Sequence, residues 1–231
     1  MKILVLDTST EACSAALFLD GIIKERYQLA PRQQTALILP MIDSLLAEAE
    51  IKLNQLDALA FGRGPGSFTG VRIAASVVQG LAFAADLPVV PISTLRAMAQ
   101  GAYRQLHAQA VLSCLDARMQ QVYWAASCID AEGIMQLQAA EIISNPGEVT
   151  IPFATHWIGV GNGWQEYAAC LQQALGIGRV DMPAGESITI IEESYYPQSR
   201  DIALLAAAEY LKGNAVAAEL ALPIYLRDAV R

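Results

Sequence analysis

The sequence has few basic residues. Fifteen Lys and Arg stand against twenty-three Asp and Glu among 231 residues, so the formal net charge is −8 at pH 7. A protein that grips a nucleic-acid backbone by itself normally presents a basic face, because contacts to phosphate supply much of the affinity. Little Lys or Arg is left here to build such a face. The composition therefore argues against a nucleic-acid-binding module that acts alone.

Histidine is scarce and cysteine is unpaired. The two histidines, His107 and His156, are far apart in the sequence, and neither belongs to an H-E-x-x-H or other i, i+4 pair. We expect surface or supporting roles for them and no metal site. The cysteines form no C-x-x-C pair, and we expect reduced, buried thiols. They are Cys13, Cys114, Cys128 and Cys170.

Long apolar runs are also missing. The apolar stretch at 3–6 is too short for a signal peptide and ends at Asp7. No uncharged apolar run approaches the ~18 residues that a membrane span requires. We expect a cytoplasmic protein without membrane contact.

A serine nucleophile is not supported either. The segment 66–70 fits the G-x-S-x-G pattern badly, because Ser67 is displaced from the central position. No histidine is placed to activate it. The sequence therefore predicts no catalytic residue.

What the sequence does have is an alternation of apolar segments and turns. Three strands are predicted at 3–6, 13–19 and 22–29, with Asp20-Gly21 as a tight hairpin turn between the last two. A helix at 35–49 follows, capped by Thr35 and started or kinked by Pro40. The remaining elements of this half are a strand at 57–61, an apolar helix at 71–85, a strand at 88–92 and a helix at 93–105. The order predicts the α/β class, a mixed sheet with a β-hairpin meander at one edge and right-handed crossover helices.

The opening of the chain recurs in its second half. Asp116 ends an apolar strand as Asp7 does, and a polar turn and a second strand follow in both copies. The glycines at 159–163 echo those at 62–66. Two echoes in the same order indicate an internal duplication with a degenerate second copy. We therefore predict two domains, 1–105 and 106–231, in the duplicated architecture of actin, sugar kinases and Hsp70.

The glycine-rich turn at 62–70 and the two aspartates suggest a nucleotide site. Such a turn, leading into a helix, offers backbone N–H groups and a positive dipole end to phosphate. In the duplicated architecture Asp7 and Asp116 would face each other and hold a magnesium ion through water. A structural alternative stays open, with glycines that allow tight packing and aspartates that bond nearby N–H groups. The candidate residues of this vestigial nucleotide or phosphate site are Asp7, Thr8, Gly62, Gly64, Gly66, Ser67, Thr69 (as helix cap) and Asp116.

The same turn is part of a specific motif, Gly62-Arg63-Gly64-Pro65-Gly66-Ser67-Phe68-Thr69-Gly70-Val71-Arg72. With further segments it makes the chain resemble the TsaB family, also called YeaZ, over nearly its whole length. The resemblance implies the actin-like (ASKHA, ribonuclease H-like) fold that this family shares with its catalytic paralogue TsaD. The further segments are Leu6-Asp7-Thr8-Ser9, Pro40 in the first helix, Asp116-Ala117-Arg118 and Pro223-Ile224-Tyr225-Leu226-Arg227.

The resemblance also implies a function. TsaB proteins look like the non-catalytic partner in installing threonylcarbamoyl on the adenosine beside the anticodon of tRNAs that read codons beginning with A. The implied partners are TsaD, paired through the N-terminal domain, and the ATPase TsaE, with tRNA contacted only indirectly. The His-x-x-x-His metal motif of TsaD is replaced by Thr94 and Met98 in this chain. No metal and no cofactor of its own are therefore expected, while ATP or ADP at the interface with the partner is compatible with this role.

Two apolar helices are the predicted partner interface. The helices at 35–49 and 71–85 have more apolar surface than one small sheet needs, although ordinary covering of the sheet is the alternative. We predict that charging Ala75 or Val78 abolishes pairing and leaves the fold intact, and that the same face forms a homodimer when the partner is absent. The predicted interface residues are Leu37, Met41, Leu45, Ala74, Ala75, Val78 and Ala82.

A competing interpretation is a nucleotide-binding enzyme of the actin-like superfamily, such as a small-molecule kinase or ATPase that is active by itself. It requires Asp7, the turn at 62–69 and Asp116 to bind Mg-ATP. Peptidase activity, an old label of the family, is disfavoured by the missing nucleophile and metal site.

Overall fold

The computed structural model describes residues 1–153, 155–177, 187–191 and 195–227. Strands and helices alternate along most of this chain. In chain order they are β1 (Lys2–Asp7), β2 (Ala12–Leu19), β3 (Ile22–Leu29), α1 (Gln34–Glu48), β4 (Ala58–Gly62), α2 (Phe68–Ala85), β5 (Val89–Ile92), α3 (Thr94–Leu106), β6 (Ala110–Arg118), β7 (Gln121–Ile129), β8 (Met135–Leu137), β9 (Ile142–Ser144), β10 (His156–Val160), α4 (Gly163–Glu166), α5 (Ala168–Ala174), β11 (Ser187–Ile190) and α6 (Ser199–Leu211).

The chain divides into two compact units. Unit 1 comprises Met1–Ala97 and Tyr196–Ile224, and unit 2 comprises Met98–Tyr195 and Tyr225–Arg231. This division differs from the predicted boundary at 105/106 in two ways. The first unit ends inside α3, and the segment containing α6 belongs to unit 1 and not to the second half. Sequence order did not reveal this return of the chain.

Unit 1 is built on a five-stranded mixed sheet in the order β3-β2-β1-β4-β5. The first three strands are antiparallel neighbours, and β4 and β5 join parallel to β1. Asp20 and Gly21 form the predicted tight turn between β2 and β3, both with positive φ (46° and 94°), as a type I′ turn requires. The predicted hairpin meander with crossover helices is confirmed.

One face of this sheet is covered by α1 and α2. Leu4 and Leu6 of β1 point into a core with Ile38 and Leu45 of α1 and Val78 of α2, all less than 2% exposed. The helix α1 begins at Gln34 and runs through Pro40, and no side chain caps it. The prediction of Thr35 as its cap was therefore wrong, because the helix starts one residue earlier and Thr35 lies within it.

The helix α2 is apolar along its whole length. By length and composition alone it would suffice to cross a membrane, a test that core helices also pass. Its Val71, Ala74, Val78 and Ala82 are buried in unit 1. Its other side is exposed, so α2 is one wall of the core and also a surface of the unit.

The opposite face of the sheet is covered by α6, which packs on all five strands. A pair of buried hydroxyls holds its first turn. Ser14 Oγ of β2 accepts a hydrogen bond from the Ser199 backbone N–H (3.0 Å), and Ser199 Oγ donates to the Ser14 carbonyl (2.9 Å). Ser14 of β2 thus accepts from an N–H at the start of α6 as an N-cap side chain would, and α6 has no side-chain cap of its own.

Unit 2 repeats the sheet of unit 1. Its strand order is β11-β10-β6-β7-β8, with β9 also paired to β7. The strands β6 and β7 are antiparallel, and β10 and β11 join parallel to β6, as β4 and β5 join β1. The predicted duplication is confirmed. The second copy is degenerate, because among the described residues between β9 and β10 only a 3-10 turn at Pro146–Glu148 stands where unit 1 has α1.

We predict that Ser14→Ala lowers the free energy of unfolding by about 1–3 kcal/mol, the cost of leaving the buried Ser199 N–H without an acceptor. Urea denaturation measures it. Ser44→Ala is the matched control, because Ser44 is exposed on α1 and alanine is the better helix former there. Equal stability of the two variants would contradict the role assigned to the hydroxyl pair.

Candidate functional site

The candidate site in unit 1 begins with a buried acid. Asp7 ends β1 and is fully buried. Its Oδ1 accepts hydrogen bonds from the backbone N–H (3.2 Å) and the hydroxyl (3.0 Å) of Ser9. Its Oδ2 has no hydrogen-bond partner among the described residues. Burial raises the pKa of Asp7 from 3.8 to about 7, although the Ser9 hydrogen bonds lower it.

Glycines of the turn at 62–70 pack directly against this first turn. A Cβ atom on Gly62 would lie 1.8 Å from Asp7 Oδ2, one on Gly66 2.3 Å from the Ser9 carbonyl oxygen, and one on Gly70 2.0 Å from the Thr8 carbonyl oxygen. Side chains essentially never approach so closely. Positions 66 and 70 therefore accept only glycine without movement of the backbone, and a side chain at position 62 would have to displace the buried Asp7 carboxyl.

Hydrogen bonds close the same contact. The Ser67 backbone N–H donates to the Ser9 carbonyl (2.7 Å), and the Thr8 hydroxyl donates to the Gly70 carbonyl (2.7 Å). The helix α2 is capped by Ser67, whose Oγ accepts from the Gly70 N–H (3.3 Å). The prediction of Thr69 as the cap was wrong, because Thr69 is already inside the helix and exposed.

This geometry favours the structural alternative for most of the turn. Gly62, Gly66 and Gly70 face the chain's own backbone or the Asp7 carboxyl. Gly64 has a φ of +98° and gives its carbonyl to the Thr94 N–H (2.9 Å). Binding of a phosphate at these residues stays a prediction.

In unit 2 the counterpart of Asp7 is Asp116, and both of its carboxylate oxygens have partners nearby. Asp116 Oδ1 accepts from the Arg118 backbone N–H (2.8 Å) and the Tyr167 hydroxyl (2.9 Å). Its Oδ2 pairs with the Arg118 guanidinium at 2.9 Å. Gly161 and Gly163 pack on Cys114, where added Cβ atoms would lie 2.2 Å and 2.4 Å from its carbonyl oxygen and its sulfur. Asp7 belongs to unit 1 and Asp116 to unit 2, and a metal held between them stays a prediction.

Thr94 and Met98, which the sequence analysis set against a metal motif, are not strong metal ligands. Thr94 is buried, its Oγ1 has no hydrogen-bond partner among the described residues, and Met98 is buried as well. In the part of the chain that the structure describes, no three His, Cys, Asp or Glu side chains lie together as a metal site would need. His107 and His156 are exposed, and His156 Nδ1 lies 2.7 Å from Ser187 Oγ.

The cysteines match the prediction in part. All four thiols are free, and burial raises the pKa of the Cys13 thiol to about 11. Cys114 is buried and Cys128 half-buried. The expectation of a core position was wrong for Cys170, which lies on the outer side of the short helix α5.

The predicted interface residues lie mostly inside unit 1. Five of the seven belong to its core and are at most 4% exposed: Leu45, Ala74, Ala75, Val78 and Ala82. The other two, Leu37 and Met41, are half-buried against it. The prediction that Ala75 or Val78 could be charged with the fold intact was therefore wrong, because a charge there would enter the core.

The exposed residues of these helices are not among the predicted interface residues. A stripe along α2 consists of Arg72, Ser76, Gly80 and Phe83 at helical spacing, and Phe83 is 84% exposed. On α1, which contacts α2, Leu39 is 48% exposed. We call these five residues the outer face. The outer face is the side of these helices that does not pack on the sheet. It can be identified only when the position of the sheet is known.

Comparison with known proteins agrees with this architecture. A family model described as TsaD, tRNA N6-adenosine threonylcarbamoyltransferase, matches residues 27–230. The tRNA threonylcarbamoyladenosine biosynthesis protein TsaB of Escherichia coli is 41% identical, with 100% of this chain and 96% of that protein covered. The chain belongs to the TsaB family. The Haemophilus influenzae TsaB is 42% identical, with 100% of this chain and 95% of that protein covered.

The solved structures agree with this membership. YeaZ from Pseudomonas aeruginosa matches with a TM-score of 0.86 at 42% identity, with 97% of this chain and 99% of that chain covered. The expected membership in the TsaB family and the duplicated actin-like fold are both confirmed. In this member of the TsaB family the glycine motif connects β4 to α2 and packs on the turn after β1.

We predict that Gly70→Ala destabilises the protein by about 1–3 kcal/mol, because its Cβ would overlap the Thr8 carbonyl oxygen. Gly80→Ala is the matched control on the same helix. A Cβ there meets nothing within 4 Å, and alanine stabilises a helix by about 0.5–1 kcal/mol relative to glycine. Thermal or urea unfolding of both variants measures the difference, and a Gly70 variant as stable as wild type would contradict the close contact.

The Asp7 carboxyl makes stability depend on pH. Its folded pKa of about 7 lies above the unfolded value of 3.8, so the folded state binds the extra proton between these values. Stability contributed by this group is present below pH 4 and is lost as pH rises toward 7, by at most about 1.4 kcal/mol per pH unit.

We predict that Asp7→Asn is increasingly more stable than wild type as pH rises from 4 to 7, with a constant difference above that. Denaturant unfolding across this range measures it. Asp43→Asn, at an exposed position on α1, controls for the change of net charge. A wild-type minus Asp7→Asn difference that does not vary with pH would be inconsistent with a protonated buried carboxyl.

Proposed function

We propose that this protein is the non-catalytic subunit required for threonylcarbamoylation of the adenosine next to the anticodon in tRNAs that read codons beginning with A. It acts by forming a heterodimer with a TsaD-like catalytic paralogue. Family membership and the names of the relatives support a role in tRNA threonylcarbamoyladenosine biosynthesis. The non-catalytic role is supported by the site.

The observation that carries the proposal is the contact between the glycine turn and the first turn of the chain. In a nucleotide-binding enzyme of this architecture the same glycines would face phosphate. Here the Cβ directions of Gly66 and Gly70 point at the backbone of Ser9 and Thr8. In unit 2, the Asp116 carboxylate forms an ion pair with Arg118 and accepts a hydrogen bond from the Tyr167 hydroxyl. Because its own backbone packs where a phosphate would bind, the chain is suited to a supporting role beside a catalytic subunit.

The outer face supports pairing. Phe83 and Leu39 are exposed apolar side chains on helices that contact each other. The small residues Ser76 and Gly80 on the exposed side of α2 allow a partner helix to approach closely. Aromatic anchors beside small residues are typical of interface centres. We propose that the TsaD-like paralogue binds here, and that a homodimer forms through the same face when the paralogue is absent.

The remaining partners follow from the same proposal. A TsaE-like ATPase joins the pair, and ATP or ADP binds at the interface with the partner and not to this chain alone. The net charge of −8 favours tRNA contacts made mainly by the catalytic paralogue, because an acidic surface repels the phosphate backbone. All of this takes place in the cytoplasm.

The deciding experiment is size-resolved association with the TsaD-like paralogue, with tRNA threonylcarbamoylation assayed for each protein alone and for the mixture in the presence of the TsaE-like ATPase. We expect a stable heterodimer and full activity only when this chain is present. ATP turnover or tRNA modification by this chain alone would contradict the proposal and favour the competing enzyme.

We predict that Phe83→Lys weakens the heterodimer at least about thirtyfold, the loss expected for about 2 kcal/mol at an aromatic interface anchor. Leu211→Lys is the matched control, because Leu211 is a similarly exposed apolar residue (78% against 84%) near the end of another helix of unit 1. Calorimetric titration measures both affinities, and unfolding curves check that both variants are folded. Equal affinities of the two variants for the paralogue would contradict the assignment of the outer face as the interface.

A further inference from the structure

The turn between β6 and β7 has an unusual backbone. Arg118 pairs with Gln121 in the ladder, so Met119 and Gln120 are a two-residue hairpin loop. Both have positive φ (54° and 59°), and so does Arg118 (62°). Three consecutive left-handed residues without glycine are disfavoured, since such loops normally use Asn-Gly or Asp-Gly. Other contacts must hold this turn.

One of those contacts comes from the C-terminal segment. The Arg227 guanidinium donates to the carbonyl oxygens of Ala117 (3.0 Å) and Arg118 (3.3 Å) and to Gln121 Oε1 (2.8 Å). Its Nη1 also donates to the thioether sulfur of Met119 at 3.0 Å. Arg227 thus anchors the segment 225–227 on the turn, and the turn is held in its left-handed form by the same group.

Met119 is also the most accessible methionine that the structure describes. Its exposed fraction is 74%, whereas Met98 and Met135 are fully buried and Met1 and Met41 are half-buried. Exposure is the main determinant of oxidation of a thioether, which converts an apolar side chain into a polar one. A thioether is a weak acceptor, so its contact to Arg227 is the weakest of the four.

We propose that Met119 is an oxidation site, and that its sulfoxide holds Arg227, and with it the segment 225–227, more tightly to the β6–β7 turn. A sulfur lone pair attacks one oxygen of hydrogen peroxide, an S–O bond forms and the O–O bond breaks. The departing hydroxide takes the proton of the transferred oxygen and leaves as water. Sulfur loses two electrons and the peroxide gains them.

The direction of the effect follows from the geometry. The lone pair that faces Arg227 has no room for an oxygen, because sulfur and nitrogen are only 3.0 Å apart. Oxidation therefore takes place on the solvent side. The exposed side chain can then rotate to offer the sulfoxide oxygen, which is a much stronger acceptor than the thioether, to the guanidinium.

The first test treats the full-length protein with hydrogen peroxide and follows each methionine by peptide mass spectrometry. We expect Met119 to gain one oxygen well before Met98 and Met135. Uptake at Met119 no faster than at Met135 would overturn the proposal.

The second test measures the anchorage with trypsin after the peroxide has been removed. Trypsin can bind Arg227 only when the guanidinium has left the turn, so cleavage after it follows the population of the detached form. We expect oxidation to slow this cleavage about fivefold, the effect of one stronger hydrogen bond. Intact mass separates this cleavage from cleavage after Arg118.

The variant Met119→Leu is the matched control. It removes both the acceptor and the oxidisable sulfur at an exposed position, so the fold is kept. We expect faster cleavage after Arg227 than in wild type, and no response to peroxide. The proposal fails if oxidation leaves cleavage in wild type unchanged or faster, or if Met119→Leu responds to peroxide as wild type does.

Discussion

The close packing of the glycine turn on the first turn of the chain is the constraint on which unit 1 depends. Gly66 and Gly70 approach the backbone of Ser9 and Thr8 to distances that no side chain permits, and Gly62 of β4 lies equally close to the Asp7 carboxyl. This contact sets where α2 begins, because Ser67 is both its cap and a donor to Ser9. The position of α2 in turn decides which of its residues enter the core and which form the outer face.

The same contact shows how glycines that match a nucleotide-site pattern serve packing inside unit 1. The motif residues are in place, but the Ser67 N–H donates to the Ser9 carbonyl and the Gly64 carbonyl accepts from the Thr94 N–H. Two buried polar atoms of unit 1 have no hydrogen-bond partner among the described residues: Asp7 Oδ2, which faces Gly62, and Thr94 Oγ1. Unit 2 has moved further from the pattern, since Asp116 now forms an ion pair with Arg118 beside the next turn.

Much of the fold could be predicted from the sequence, and less of the site. Strand positions and the duplication follow from apolar runs and recurring turns, which are local. The interface residues could not be chosen correctly, because α2 is apolar on every side and periodicity alone does not say which side meets the sheet. Ala75 and Val78 were predicted as surface and are core, whereas Phe83, 84% exposed, was passed over. The return of α6 to unit 1 depends on Ser14 and Ser199, which are 185 residues apart.

Two hairpin turns show the difference between what the local sequence determines and what the tertiary structure determines. By itself the sequence determined the turn between β2 and β3, because Asp20-Gly21 can adopt positive φ at low cost without help from elsewhere. It also determined the mixed sheet with a hairpin meander at one edge, and its duplication, through strand spacing and turn chemistry. Only the tertiary structure decided the turn between β6 and β7, where Met119-Gln120 is locally unfavourable and Arg227 supplies the missing stabilisation. Local preference acts within a few residues, whereas close packing and long-range hydrogen bonds exist only once distant segments have met.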